Sequence, residues 1–247
     1  MNVVMDIPIV LKPPGGLRPC ATCVVRRTSV CDAIPESDLA RLGATAIGGI
    51  ARPGTLFIAE DDPATAFFNI ISGTARLYKL LPDGRRQITG FANGGNFLGL
   101  AVSDTYAFSA EAIDTVRYCI FPRIRLRALM REFPNMEERL LKFASSELVA
   151  AQEQMLLLGR KSARERVASF LIARGRLASA DQGSPECFVL PMARGDIADY
   201  LGITIETVVR TLRKLRNEGM IDVTNTSEVV ICDRVALRRL ADGSHWD

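Results

Sequence analysis

Between residues 35 and 134 the apolar positions fall in short runs, at 55–59, 66–71, 74–80, 87–91, 107–112 and 116–121. Turn-forming groups break them up: Ser72-Gly73, Pro82-Asp83-Gly84 and Asn93-Gly94-Gly95. Strands of that length and spacing predict an all-β barrel or jelly roll. From about 135 to 160 the rhythm becomes helical. Ala144, Leu148, Ala151, Met155 and Leu158 recur at spacings of 4, 3, 4 and 3, a heptad-type seam with Glu147, Gln152 and Glu153 off it. Such a seam could pack on its own barrel or on a partner; its run of about two heptads tips the expectation towards dimerisation.

From 161 to 247 the pattern shortens again. An amphipathic helix at 162–173 precedes a Gly/Ser/Pro-containing loop at 178–185, two short helices, a hairpin pairing 220–223 with 229–232, and a last helix from Asp233. That is the element order of a winged helix-turn-helix. The first short helix, 193–201, turns Ile197, Ala198 and Leu201 inward, Gly202 closes it and Ile203 is buried in the turn. Thr204 caps the second, 205–217, whose core face is Val208, Leu212 and Leu215. Glu206, Val209, Arg210 and Arg213 share the opposite face at i, i+3, i+4 and i+7. A helix entering the major groove offers its first turns to base edges, where arginine pairs with guanine O6 and N7 and a carboxylate accepts from cytosine N4. Thr207, Arg213 and Lys214 are placed for phosphates. Together these stretches predict an α+β chain of four parts: an irregular cysteine-containing segment at 1–34, the β region at 35–134, the long helix at 135–160 and the winged helix-turn-helix at 161–247.

Charge sharpens the picture. The net formal charge is only +3, but residues 160–216 hold 11 Lys/Arg against 6 Asp/Glu, an asymmetry that suits a polyanion. His245 is the single histidine, which excludes Ser-His-Asp, Cys-His and His-rich zinc chemistry in the body of the chain. Neither a GxxxxGK(S/T) loop nor a GxSxG elbow is present, so an enzyme is not expected. No apolar run approaches a membrane span, and Met1 to Gly16 lack the basic region and cleavage site of a signal peptide; the expectation is a cytoplasmic protein without membrane association.

The cysteines supply the other chemistry. Cys20, Cys23 and Cys31 form C-x2-C-x7-C, and Cys119 lies far along on a strand. Close cysteines in a cytosolic chain suggest metal rather than disulfides. Four thiolates suit an iron–sulfur cluster or zinc, spacing alone favouring zinc or no ligand role for the first three. Cys187 and Cys232, in apolar contexts, are expected to be buried thiols.

GDIADYLGITIETVVRTLRKLRNEGMI, LGRKSARERVASFL and RQITGFANGGNFLGL resemble, respectively, the helix-turn-helix, the preceding hinge and the β-roll of the Crp/Fnr superfamily of bacterial transcription regulators. CATCVVRRTSVC together with Cys119 in RYCIFP resembles the FNR-type oxygen sensors, in the C-x2-C-x7-C variant of FnrN-like regulators. The resemblance implies a cyclic-nucleotide-binding-like β-roll, a long dimerisation helix and a C-terminal winged helix-turn-helix. It also implies a [4Fe-4S] cluster held by Cys20, Cys23, Cys31 and Cys119. The homodimer would bind a TTGAT-like palindrome in double-stranded DNA, act with RNA polymerase as an activator, and lose dimer and DNA when oxygen degrades the cluster. Two departures stand out. The family's E-x-x-S-R recognition core reads Glu206, Val209, Arg210 here, so an apolar contact to a thymine methyl replaces a hydrogen bond at the outer base. The Arg-Ser pair that holds the ligand phosphate in the cyclic-nucleotide branch has no counterpart in residues 98–111, which contain no arginine, so cAMP binding is not expected. The alternatives are a regulator whose cysteines bind zinc or respond to nitric oxide, and a small-molecule-binding β-barrel.

Overall fold

The structure, a computed structural model, describes residues 20–100, 104–182, 187–225 and 227–243. Met1 to Gly16, and with them the start of the 1–34 segment, lie outside the described residues. The chain forms two units, residues 1–148 and 149–247.

In the first unit α1 (Leu39–Thr45) leads into β1 (Ile47–Ala51), β2 (Leu56–Ile58), β3 (Ala66–Ser72), β4 (Ala75–Leu80), β5 (Arg86–Ala92), β6 (Phe97–Leu98), β7 (Ser109–Ala112) and β8 (Val116–Pro122). Two antiparallel sheets result, ordered β1-β8-β3-β6 and β2-β7-β4-β5. Successive strand side chains point to opposite faces, so β3, buried from Ala66 to Ile70, serves two cores at once. Phe68 and Ile70 turn into the roll with Tyr106, Val116 and Tyr118. Phe67 turns outward with Phe97 and Phe121 against Val30, Ile34, Leu42, Leu126 and Met136. That outer core carries the N-terminal segment, α2 (Arg123–Glu132) and the start of α3 (Pro134–Arg160).

The second unit holds the end of α3, α4 (Ala163–Gln182), β9 (Cys187–Val189), α5 (Arg194–Leu201), α6 (Ile205–Asn217), β10 (Ile221–Val223), β11 (Glu228–Ile231) and α7 (Arg234–Ala241). α4 packs on α7 and α6, and the wing is the sheet β10-β11-β9. Ile221 pairs with Ile231 in the expected hairpin, and the Asp233 carboxylate accepts from Ala236 N at 2.9 Å to start α7.

Four expectations need correction. The 35–134 stretch is not all β, since α1 and α2 lie within it. α4 continues through residues 178–182, where a loop was expected; residues 183–186 lie outside the described set. Ile203 is half-buried rather than buried. Cys187 and Cys232 are exposed: in β9 the inward position belongs to Phe188, and period two leaves Cys187 facing out. No helix among the described residues is long and apolar enough to cross a membrane.

Candidate functional site

α5 begins where Asp196, 4% exposed, accepts from the backbone N–H of Ala193 at 3.2 Å. It ends at Gly202 in the left-handed region, φ 61°. A side chain there would stand 3.2 Å from Leu158 Cδ2, so the turn needs glycine for its conformation and for the close approach. Thr204 then accepts from Thr207 N at 3.3 Å and α6 starts. Val208, Thr211, Leu212 and Leu215 are buried; Thr211 is the member of that face the apolar pattern could not show. Ile205, Glu206, Val209, Arg210, Arg213 and Lys214 are exposed, and Thr207 is half-buried. Thr207 Oγ1 accepts from Arg210 Nη2 at 3.4 Å. Backbone and Thr204 hydroxyl hydrogen bonds hold the Glu206 carboxyl below its ordinary range, which keeps it an ionised acceptor. The whole face is thus open at the N-terminal turns, as a groove-reading helix requires.

A depression of about 270 Å³ beside this face is lined by Arg194, Arg213, Arg216, Asn217, Val209 and Val223. Arg194 of α5 and Arg213 and Arg216 of α6 line it together with the apolar Val209, Leu212 and Val223. Arg194 and Arg216 were not singled out by sequence; the signal available was the cationic spacing of Arg213 and Arg216 along one helix.

Arg166, from the hinge segment, locks this unit. Its guanidinium donates to the carbonyls of Leu158, Lys161 and Leu201 at 2.8, 2.9 and 2.9 Å. Gln154 Nε2 donates to Tyr200 O at 2.8 Å. The last turns of α3 are therefore bonded directly to the end of α5.

Cys20, Cys31 and Cys119 belong to the outer core of the first unit. Cys20 opens a 3-10 turn, Cys20–Thr22, and Cys23 N donates back to Cys20 O at 3.3 Å. Cys31 sits in a second, Val30–Ala33, capped by the buried Ser29 hydroxyl, which accepts from Cys31 N at 3.3 Å. Cys119 lies on β8, on the face that packs with Cys20 and Cys31. Burial pushes the Cys31 thiol up to about 11 and Cys119 to about 12; the nearness of the other three thiols adds to the rise at Cys119. Burial and Cys23 raise Cys20. The four thiols therefore lie within electrostatic reach of one another, although residues 31 and 119 are far apart in sequence. Among the described residues no three His, Cys, Asp or Glu side chains are grouped as ligands of a single metal ion.

Three contacts seat the cysteine segment. Arg26 donates to Ile34 O at 3.1 Å and pairs with Glu36 at 3.3 Å. The Gly94-Gly95 turn lies against Val25 and Thr28. Arg139 of α3 donates to the carbonyls of Ser29 and Arg27, each at 2.7 Å, and pairs with Asp32 at 3.0 Å. Sequence reasoning singled out none of these arginines.

Among the described residues the α3 seam is largely uncovered. Leu148 is 60% and Met155 65% exposed, Ala144 and Ala151 are exposed, and Leu158 is half-buried. Leu141, 67% exposed, extends the stripe three residues towards the N-terminus.

Residues 165–240 match the model of the Crp-like helix-turn-helix domain, and residues 50–133 that of the cyclic nucleotide-binding domain. The nitrogen fixation regulation protein FixK of Bradyrhizobium diazoefficiens is 40% identical over 87% of this chain and 90% of its own length. The transcriptional activatory protein AadR of Rhodopseudomonas palustris is 45% identical over 83% of this chain and 86% of its own. The solved structure of FixK2 from Bradyrhizobium japonicum superimposes with a TM-score of 0.74 at 35% identity, over 79% of this chain and 96% of that one.

Proposed function

Because this chain belongs to the Crp/Fnr family of transcription regulators, which bind DNA and are not enzymes, we propose that it is an oxygen-responsive activator working through a [4Fe-4S] cluster on Cys20, Cys23, Cys31 and Cys119. The observation that carries this reading is the approach of Cys119, on β8, to the thiols of Cys20, Cys23 and Cys31, with Cys20, Cys31 and Cys119 packed in one outer core. The donor set fits: all four are sulfur, the ligand type clusters take. When bound, the cluster supplies an oxygen-labile centre.

The chain's own residues carry the response. Ligation requires the raised thiols of Cys31 and Cys119 to give up their protons. A ligated segment is an ordered one, and Arg139 ties residues 27–32 to α3. The stripe Leu141, Ala144, Leu148, Ala151 and Met155 then pairs with the same stripe of a second copy, the isologous contact of a twofold dimer. The dimer presents two α6 helices to half-sites about 34 Å apart. Glu206 and Arg210 read a TTGAT-like half-site, Val209 meets a thymine methyl, and Thr207, Arg213, Lys214, Arg194 and Arg216 engage phosphates. Phe57, Phe68, Tyr106 and Tyr118 pack together in the roll, and residues 98–111 offer no arginine to a ligand phosphate, which supports sensing by the cysteines rather than by cAMP. Action in the cytoplasm with RNA polymerase follows from the same reading.

Anaerobic purification tests it. The expected protein is brown, bleaches in air and loses its DNA as it bleaches. A colourless zinc protein indifferent to air would sink the proposal, as would an unaltered oxygen response in Cys119→Ala.

A further inference from the structure

Asn69 stands in the middle of β3 and is 1% exposed. Its Oδ1 is buried with no hydrogen-bond partner. The other buried side-chain atoms without a partner among the described residues are Nε atoms of arginines 26, 76, 123 and 164, whose Nη groups are engaged. An orphaned amide at the centre of a sheet is costly, and an aliphatic residue would serve the strand better.

Its neighbours suggest why it is there. Asn69 lies in register between Phe97 of β6 and Cys119 of β8. Directly opposed residues of an antiparallel pair share a face, with Cβ atoms about 4.5–5.5 Å apart. By the alternation that turns Phe68 and Ile70 into the roll, Asn69 faces the outer core with Phe67, Phe121, Cys119, Cys31 and Cys20. The one sheet amide whose oxygen lacks a partner is therefore beside the one thiol that the sheet contributes. An asparagine amide is two-ended and can present N–H or carbonyl by rotation about its last torsion. Towards a sulfur anion only the N–H end is useful, and hydrogen bonds to ligand sulfurs tune the potential of iron–sulfur centres.

We propose that Asn69 is a positioning residue for the thiolate site, its side-chain N–H donating to Cys119 Sγ once that sulfur is a ligand. This rests on the cluster reading above. The buried amide oxygen has no partner in the metal-free protein; in the loaded one the amide turns over and its N–H takes that place beside the sulfur. The two states give opposite signs on substitution, which a purely structural asparagine would not.

The test uses the full chain, with Asn69→Leu as the near-isosteric variant lacking the amide and Asn69→Ser as one that keeps a hydroxyl donor. In the metal-free protein, Asn69→Leu should leave the thermal midpoint unchanged or raise it. After anaerobic reconstitution with ferrous iron and sulfide, its visible absorbance should decay in air faster than wild type by roughly tenfold, the worth of one hydrogen bond to a charged group. The midpoint potential should fall with it, and Asn69→Ser should recover part of both. If wild type loads and Asn69→Leu decays at the wild-type rate, the role of Asn69 is overturned and the cluster reading stands. A lowered midpoint in metal-free Asn69→Leu with unchanged decay makes the residue structural and also overturns it. A wild-type chain that takes up no iron overturns both readings.

Discussion

Gly95 is buried with φ +93°, and a Cβ there would stand 2.8 Å from Thr28 Oγ1. Both the backbone conformation and the space therefore demand glycine, and the neighbour that needs the space belongs to the cysteine segment. Gly95→Ala should cost the first unit about 1–3 kcal/mol through a strained backbone. It should also push the 25–28 loop off its seat, so that iron uptake falls by more than stability does. Melting curves with a parallel iron titration check this; unchanged uptake at reduced stability would mean that the turn does not seat the segment. At this scale the sequence was readable where chemistry is written in residue type. The four cysteines, the Thr204 cap and Gly202 could all be identified from the chain. Asn69, Arg139 and Arg166 could not, because their meaning lies in partners. Arg139 acts on carbonyls of residues 27 and 29, which any residue type supplies, and Asn69 is remarkable only through its register with Cys119.

Elements were legible in proportion to their length and regularity. α3, with 27 residues and a repeating seam, and α6, with a cap and two distinct faces, were plain. α1 has seven residues, too few for a helical period to show, and β1 contains a Gly-Gly pair with weak strand preference. α2 begins Arg-Ile-Arg-Leu-Arg, an alternation that mimics a strand. Its helix is set instead by Leu126 and Leu129, which are buried while Ile124 is 86% exposed. α4 runs on past Gly175 to residue 182, where Gly183, Ser184 and Pro185 had suggested that a loop begins earlier. The exposed stripe on α3 is the element for which pairing with a second copy is proposed. Replacing Leu148 and Met155 by glutamate together should leave the helix intact, since both residues face solvent in the single chain and glutamate is a good helix former. Paired across a twofold seam, the same charges would be buried against each other. Light scattering of the iron-loaded double variant should show a monomer, with far-ultraviolet circular dichroism unchanged. A dimer of undiminished stability would remove α3 as the interface.

At the scale of the whole molecule, α3 is the element shared by both units, and each has its own arginine on or against it. In the first, Arg139 binds the cysteine segment through two carbonyls and Asp32. In the second, Arg166 binds the last turns of the helix to the end of α5. Neither arginine is among the proposed ligands or base contacts, so each can be removed without touching either set. Arg139→Ala should therefore separate sensing from response. Iron content after anaerobic reconstitution should remain near that of wild type, because all four thiols and Asn69 are untouched. The fraction of dimer, and with it affinity for a palindromic duplex, should drop towards the level of the metal-free protein, whereas binding to a single half-site should hold. Arg139→Lys keeps the charge opposite Asp32 but loses the fork that spans two carbonyls, so it should recover only part of the response. Sedimentation and duplex titrations on loaded and metal-free samples measure all of this at once. If Arg139→Ala dimerises on loading as wild type does, the cysteine segment reaches the interface by another route. If it fails to load at all, the clamp belongs to the cluster site rather than to the link between that site and α3.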